Sequence, residues 1–113
     1  MGLDMNVVKY DNEDKETPKW LKQHKDVIEW RKEFDIHNWF IENTQCTVDC
    51  WQSAIFESIL NRDDFIKLYE FIKNMENTDK FTKFNKIEWL RLIKKEIELD
   101  EFDKYEYYYE SNW

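Results

Sequence analysis

The chain has 113 residues, 42% of them hydrophobic, 18% aromatic and 37% charged, with a net charge of -8 at pH 7. Eight Phe, six Trp and six Tyr supply enough large apolar surface for one core, which excludes a second independent core and a wholly disordered chain. The acidic excess repels nucleic acid and anionic membrane and attracts basic partners, while a single glycine, Gly2, excludes glycine-bearing nucleotide loops.

At the start, Leu3, Met5 and Val7 alternate with Asp4 and Asn6, so residues 3–9 read as a short strand with one apolar face. The opening MGLDMNVVKY has no basic region followed by a long apolar run, as a secretory signal requires. No apolar stretch in the chain reaches the length of a membrane helix. A host-cytoplasmic chain is therefore expected, with no membrane contact. The polar run DNEDKE reads as a loop, and Thr17-Pro18 as a cap and first turn.

Residues 26–43, DVIEWRKEFDIHNWFIEN, form the strongest predicted helix. Val27, Trp30, Phe34, His37 and Ile41 recur at three- and four-residue intervals as an apolar stripe, with Arg31, Lys32, Glu33 and Asn38 opposite and Asp26 as the cap. On this reading Trp30, His37 and Trp39 are structural residues that hold the helix. Residues 51–57, WQSAIFE, fit a short strand or a short helix. The strand is favoured because residues 3–9 need a partner.

A second predicted helix follows Asn61, which caps it, with Asp63 and Asp64 in the first turn and Phe65, Leu68, Tyr69, Ile72 and Met75 on the core face. It ends at Asn77-Thr78-Asp79. The third opens at Asn85, with Glu88 completing a capping box, and packs through Leu90, Ile93 and Ile97 beside Trp89. Together these elements predict a mainly helical α+β domain spanning residues 1–113, with three principal amphipathic helices and a small two- or three-stranded sheet.

The ending, EIELDEFDKYEYYYESNW, carries Glu96, Glu98, Asp100, Glu101, Asp103, Glu106 and Glu110 against Lys104, most of the charge imbalance of the chain. One reading pairs these carboxylates with the basic stretch 62–95, within one monomer or between copies, which leaves homo-oligomerisation open. Alternatively they occupy a protein groove that otherwise holds nucleic-acid phosphates, with tyrosines and a tryptophan as amphipathic anchors. Alternation of Tyr105, Tyr107 and Tyr109 also fits a strand.

Other chemistry is thinly represented. Cys46 and Cys50 are spaced C-x-x-x-C, and with His24 and His37 they match no standard zinc pattern, so reduced thiols are expected and neither metal nor cofactor. His37 reads as a core histidine bonded to a neighbour, and a thiol–imidazole pair of Cys50 and His37 lacks a third group to orient it. Lys80, Lys83, Lys86, Arg91, Lys94 and Lys95, with Trp89 or Phe84 for stacking, form a basic patch. The acidic tail opposes direct nucleic-acid binding there.

Four segments carry a resemblance: MGLDMNVVKY; EWRKEFDIHNWFIENTQ, with Trp30, Arg31, Lys32, Ile36, His37, Trp39 and Phe40; Cys50; and DKYEYYYE. Together they resemble a family of small bacteriophage and prophage proteins that begin Met-Gly-Leu-Asp-Met and carry a Trp-Arg-Lys segment followed by Ile-His-x-Trp-Phe. The chain departs from that pattern at Asn6 and over Glu33, Phe34 and Asp35. The resemblance implies a phage origin and, at the level of class, an inhibitor of a bacterial anti-phage defence such as restriction or CRISPR nucleases.

The resulting expectation is a non-enzymatic inhibitor that binds a basic surface of a bacterial defence or nucleic-acid-processing protein. Its partner-binding residues are Glu98, Asp100, Glu101, Asp103, Glu106, Tyr107, Tyr109, Glu110 and Trp113. The alternatives are a small enzyme or nucleotide-binding protein using the His37 and Cys50 region, and an assembly protein self-associating through oppositely charged segments.

Overall fold

The computed structural model describes residues 3–12, 16–18, 21–45, 55–76 and 80–112. In chain order these form β1 (Asp4–Asp11), β2 (His24–Arg31), α1 (Phe34–Asn43), β3 (Ile55–Leu60), α2 (Arg62–Lys73), α3 (Lys80–Leu99) and β4 (Tyr105–Asn112). The strands make one antiparallel sheet in the order β2-β1-β4-β3. The two strands nearest the chain ends are therefore its central pair, with Val7 opposite Tyr109 and Lys9 opposite Tyr107.

All three helices pack on one face of that sheet. Alternation sends Met5, Val7 and Lys9 of β1, Ile28 and Trp30 of β2, Leu60 and Ser58 of β3 and Tyr107 and Tyr109 of β4 to that side. Phe40 of α1 lies parallel on Tyr109 at 3.7 Å, Phe65 of α2 meets Tyr107 edge-on at 5.2 Å, and Trp89 of α3 meets Trp30 at 6.4 Å. These rings, with Ile36, Leu68, Ile72 and Ile93, form one contiguous core. Large ring area buried this way is the dominant favourable contribution to the fold.

The fold is α+β, but the sheet has four strands rather than two or three. The main correction falls on residues 26–43, which are not one helix. His24–Arg31 form a strand, Lys32 takes a left-handed turn (φ 58°), and the helix starts only at Phe34. A register shift at Val7/Val8 explains the misreading: Ile28 pairs with Val7 but Asp26 with Val8, so Val27 is an extra residue in β2. That bulge makes Val27 and Trp30 three apart instead of alternating, which imitates a helical step. Trp30 accordingly supports the sheet and not a helix, and Asp26 caps nothing; it pairs with His24 at 3.6 Å. Lys32 N–H donates to the Leu3 carbonyl at 2.8 Å and fastens the turn to β1.

Within α1 the buried stripe is Ile36, His37, Trp39 and Phe40, while Phe34 and Ile41, assigned to the stripe by spacing, are 49% and 47% exposed. The start of α2 follows the sequence closely: Asp64 N–H donates to Asn61 Oδ1 at 2.9 Å and Asn61 N–H to Asp64 Oδ2 at 3.0 Å. That reciprocal cap satisfies amides the helix itself cannot. The helix α3 begins at Lys80, five residues ahead of the predicted cap, so Asn85 lies inside it and Glu88 pairs with Arg91 on the surface. Its deepest residues are Trp89, Ile93 and Glu96. Residues 51–54, 77–79, Cys46, Cys50 and Trp113, all named in sequence-based expectations, lie outside the described residues.

Candidate functional site

The acidic ending is split three ways by the fold. Glu96 is buried, 6% exposed, and binds Lys9 Nζ through both carboxylate oxygens at 3.1 and 3.2 Å, while Tyr107 Oη donates to it at 2.8 Å. Its role is structural, because an ion pair inside a core persists only when its remaining lone pairs are also bonded. A second group stays at the end of α3 and in the following turn. There Glu98 lies 4.0 Å from Lys94 and Asp100 3.5 Å from Arg62, both exposed pairs of small energetic weight. Asp100 closes the helix in the left-handed region (φ 49°), and the carbonyl of Glu101 accepts from Lys104 and Tyr105 N–H to launch β4. The Asp103 carbonyl accepts from Asn12 at 3.4 Å.

The third group, Glu106 and Glu110, lies on the sheet face opposite the helices. Strand pairing places Asp4, Asp26, Glu29 and Glu57 on the same face. Tyr10 and Tyr108 share that face with the six carboxylates and their rings meet edge-on at 5.7 Å, with Tyr10 and Val8 buried and Ile59 47% exposed. Arg31, 3.6 Å from Asp4, is the lysine or arginine on this face among the described strand residues, and the His24 ring lies 5.5 Å from that of Tyr10, tilted by 50°. At the edge of β2 lies a cleft of about 630 Å³ whose lining includes Asp4, Glu29 and Glu33 together with Arg31, Trp30 and Trp89.

Both tyrosines turn a donor toward a carboxylate. Tyr10 Oη donates to Glu110 at 3.2 Å and Tyr108 Oη to Glu106 at 3.1 Å. Burial, then the adjacent carboxylates, pushes the Tyr108 phenol up to about 12 and moves Tyr10 in the same direction. The phenols therefore stay neutral donors at physiological pH, and the negative charge of the face comes from carboxylates alone. Among the described residues the face thus combines concentrated negative charge with one half-buried ring, Tyr108.

Among the predicted partner-binding residues, Glu106 and Glu110 share this face, and Glu98, Asp100, Glu101 and Asp103 sit at the end of α3 and its turn. Tyr107 and Tyr109 are 1% and 0% exposed and serve as core rings, so they present no surface. On the opposite face Tyr108 is half-buried and Tyr10 is 8% exposed. The sequence reading missed Asp4, Asp26, Glu29 and Glu57. Alternation from residue 4 to 10 already assigned Asp4 and Asn6 to the side away from the core, but pairing that side with Glu106 and Glu110 needs the β1–β4 register.

His37 is a core residue, 4% exposed, with Nδ1 2.7 Å from Tyr109 Oη. Burial lowers its pKa. It lies on the helix side of the sheet and His24 on the other, so the two do not converge. Among the described residues no group of His, Cys, Asp and Glu is placed to hold a metal ion, and no helix is long and apolar enough to cross a membrane.

No family model, curated protein or solved structure matches the chain. Of the residues quoted for the resemblance to small phage proteins, Leu3, Met5, Trp30, Ile36, His37, Trp39 and Phe40 are buried, while Asp4, Arg31 and Lys32 are exposed.

Proposed function

We propose that this protein is a non-enzymatic binder that lays the acidic face of its sheet on a basic, nucleic-acid-binding surface of another protein, with Tyr108 as its central ring. In a phage setting that partner is a bacterial defence or nucleic-acid-processing protein, and covering its groove inhibits it. The reading is supported by one observation above all: Asp4, Asp26, Glu29, Glu57, Glu106 and Glu110 share one sheet face that none of the described helices covers. A groove selected for phosphates responds to negative charge of this density, and attraction of that kind steers encounter from a distance.

Capture from bacterial lysate followed by competition tests the reading. The retained protein is expected to bind nucleic acid on its own, to be released by added duplex or single-stranded DNA, and to be lost at high salt as screening shortens the range of the attraction. Charge reversal at Glu57 and Glu110 is expected to abolish retention, whereas reversal at Glu98 and Asp103 leaves most of it. Retention that survives both DNA and high salt would sink the mimicry.

A second reading is self-assembly. It draws support from exposed Lys67, Lys73, Arg91, Lys94 and Lys95 on α2 and α3, in the helix layer behind the acidic sheet face. Opposite charge on opposite sides permits head-to-tail contact. Solution mass at low and high salt separates the two: a concentration-dependent oligomer that dissociates with salt favours assembly, and a monomer under both conditions excludes it.

A further inference from the structure

A groove between α1 and the end of α2 has a composition unlike the rest of the helix layer. One stripe of α1, Asp35, Asn38, Trp39 and Glu42, faces Phe71, Met75 and Glu76 across a cavity of about 380 Å³. The spacing of three, four and seven residues puts the α1 members on a single side of the helix. The floor is aromatic: Trp39 and Phe71 have ring centroids 6.1 Å apart, inclined by only 31°, so they form a nearly continuous surface. Met75 extends that floor with a polarisable thioether.

The rim is acidic and unsatisfied. Asp35, Glu42 and Glu76 are exposed, and none has an ion-pair or hydrogen-bond partner among the described residues. Lys86 is the cation tied to this edge, and its ammonium is committed to the Met75 carbonyl at 2.8 Å. No lysine or arginine occurs in α1. Three carboxylates around an aromatic floor, without a cation paired to them among the described residues, are complementary to a flat cation on an aliphatic stem.

We infer that this groove receives an arginine side chain presented by a protein partner. Its methylene stem lies along Trp39 and Met75, its guanidinium plane stacks on Phe71, and its donors reach Glu42 and Glu76. Arginine fits better than lysine because its planar fork both stacks on rings and bonds carboxylates in pairs. The groove belongs to the helix layer, on the side of the sheet away from Glu106 and Glu110, so the inference stands or falls without the sheet-face reading.

Titration of the full-length, ¹⁵N-labelled protein with N-acetyl-arginine amide tests it. Chemical-shift changes are expected to cluster on Asn38, the Trp39 indole, Phe71 and Met75. N-acetyl-norleucine amide, which keeps a stem and lacks the charge, is expected to leave those signals in place, and the lysine analogue to bind more weakly. The exposed double substitution Glu42→Gln with Glu76→Gln should weaken arginine binding by roughly tenfold or more, the usual scale for losing charge-assisted hydrogen bonds. Glu106→Gln with Glu110→Gln should leave it unchanged. Absence of shifts in the groove, shifts spread evenly over every acidic surface, or equal binding by the Glu42/Glu76 variant would each overturn the inference.

Discussion

The two faces of the sheet use the same pair of residue types to opposite ends. On the helix side, Tyr107 donates to Glu96 beneath α3, where Lys9 neutralises the carboxylate and the rings of Tyr105 and Tyr107 lie 4.9 and 5.8 Å from its ammonium. On the other side, Tyr108 donates to Glu106 and Tyr10 to Glu110, outside the helix layer and in part-buried positions. Neighbours in β4 thus belong to different environments because successive side chains point to opposite faces. A Tyr–Glu hydrogen bond holds the fold when a cation and a helix enclose it. On the opposite face the same bond fixes a ring beside a carboxylate outside the helix layer.

Substitutions should separate the faces by size of effect. Tyr109→Ala is expected to cost the most, about 3–5 kcal/mol of unfolding free energy for a large buried ring, since it also removes the stack on Phe40 and the partner of His37. Denaturant unfolding measures it, and a loss under about 1 kcal/mol would place Tyr109 outside the core. Lys9→Met should come close behind, at about 3–5 kcal/mol, because Glu96 is left as a buried, unpaired charge. Adding Glu96→Leu should restore part of that loss, and a double variant worse than the single one would contradict the ion-pair account.

Effects of pH are expected to be smaller and to carry a defined sign. Burial holds the His37 pKa below its ordinary 6.5, so below that pH the unfolded chain takes up a proton that the folded chain refuses. Stability contributed by the neutral ring is then present above the unfolded value and falls as pH drops from about 6.5 toward the folded pKa. His37→Gln should flatten that part of the stability profile. In alkali the sign reverses: Tyr10, Tyr107, Tyr108 and Tyr109 all have raised phenol pKa values in the fold. Unfolded tyrosines ionise first, and stability should decline as pH rises from about 10, visible by ultraviolet titration running alongside circular dichroism.

The smallest expected effect on folding falls on the open face. Glu106→Gln and Glu110→Gln should each change stability by no more than about 0.5 kcal/mol, as surface substitutions usually do. Partner retention should nevertheless weaken with each, and more steeply at low salt. A large loss of stability would mean that the open face is built like the covered one.

Much of the framework was legible from local pattern. Alternation in residues 3–9 marks β1, alternation of Tyr105, Tyr107 and Tyr109 marks β4, and Asn61 with Asp64 marks the start of α2. His37 was placed in the core by its position among apolar neighbours, and it is there. The candidate site was legible only as an acidic ending, which turned out to mix buried Glu96 with surface Glu106 and Glu110. Residues 26–31 read as helix because a bulge at Val27 disturbs a two-residue period enough to resemble a helical one.

By itself the sequence determined a single aromatic core, the signs and positions of its charge blocks, the cap of α2 and the alternation of the first and last strands, because each of these is expressed within a few consecutive residues. Tertiary structure alone decided that β1 and β4 meet at the centre of the sheet, that Lys9 reaches Glu96 across 87 residues, and that Asp4, Asp26, Glu29 and Glu57 join Glu106 and Glu110 on one face. Those outcomes depend on register between distant strands and on which face the helices cover, and no local period encodes either.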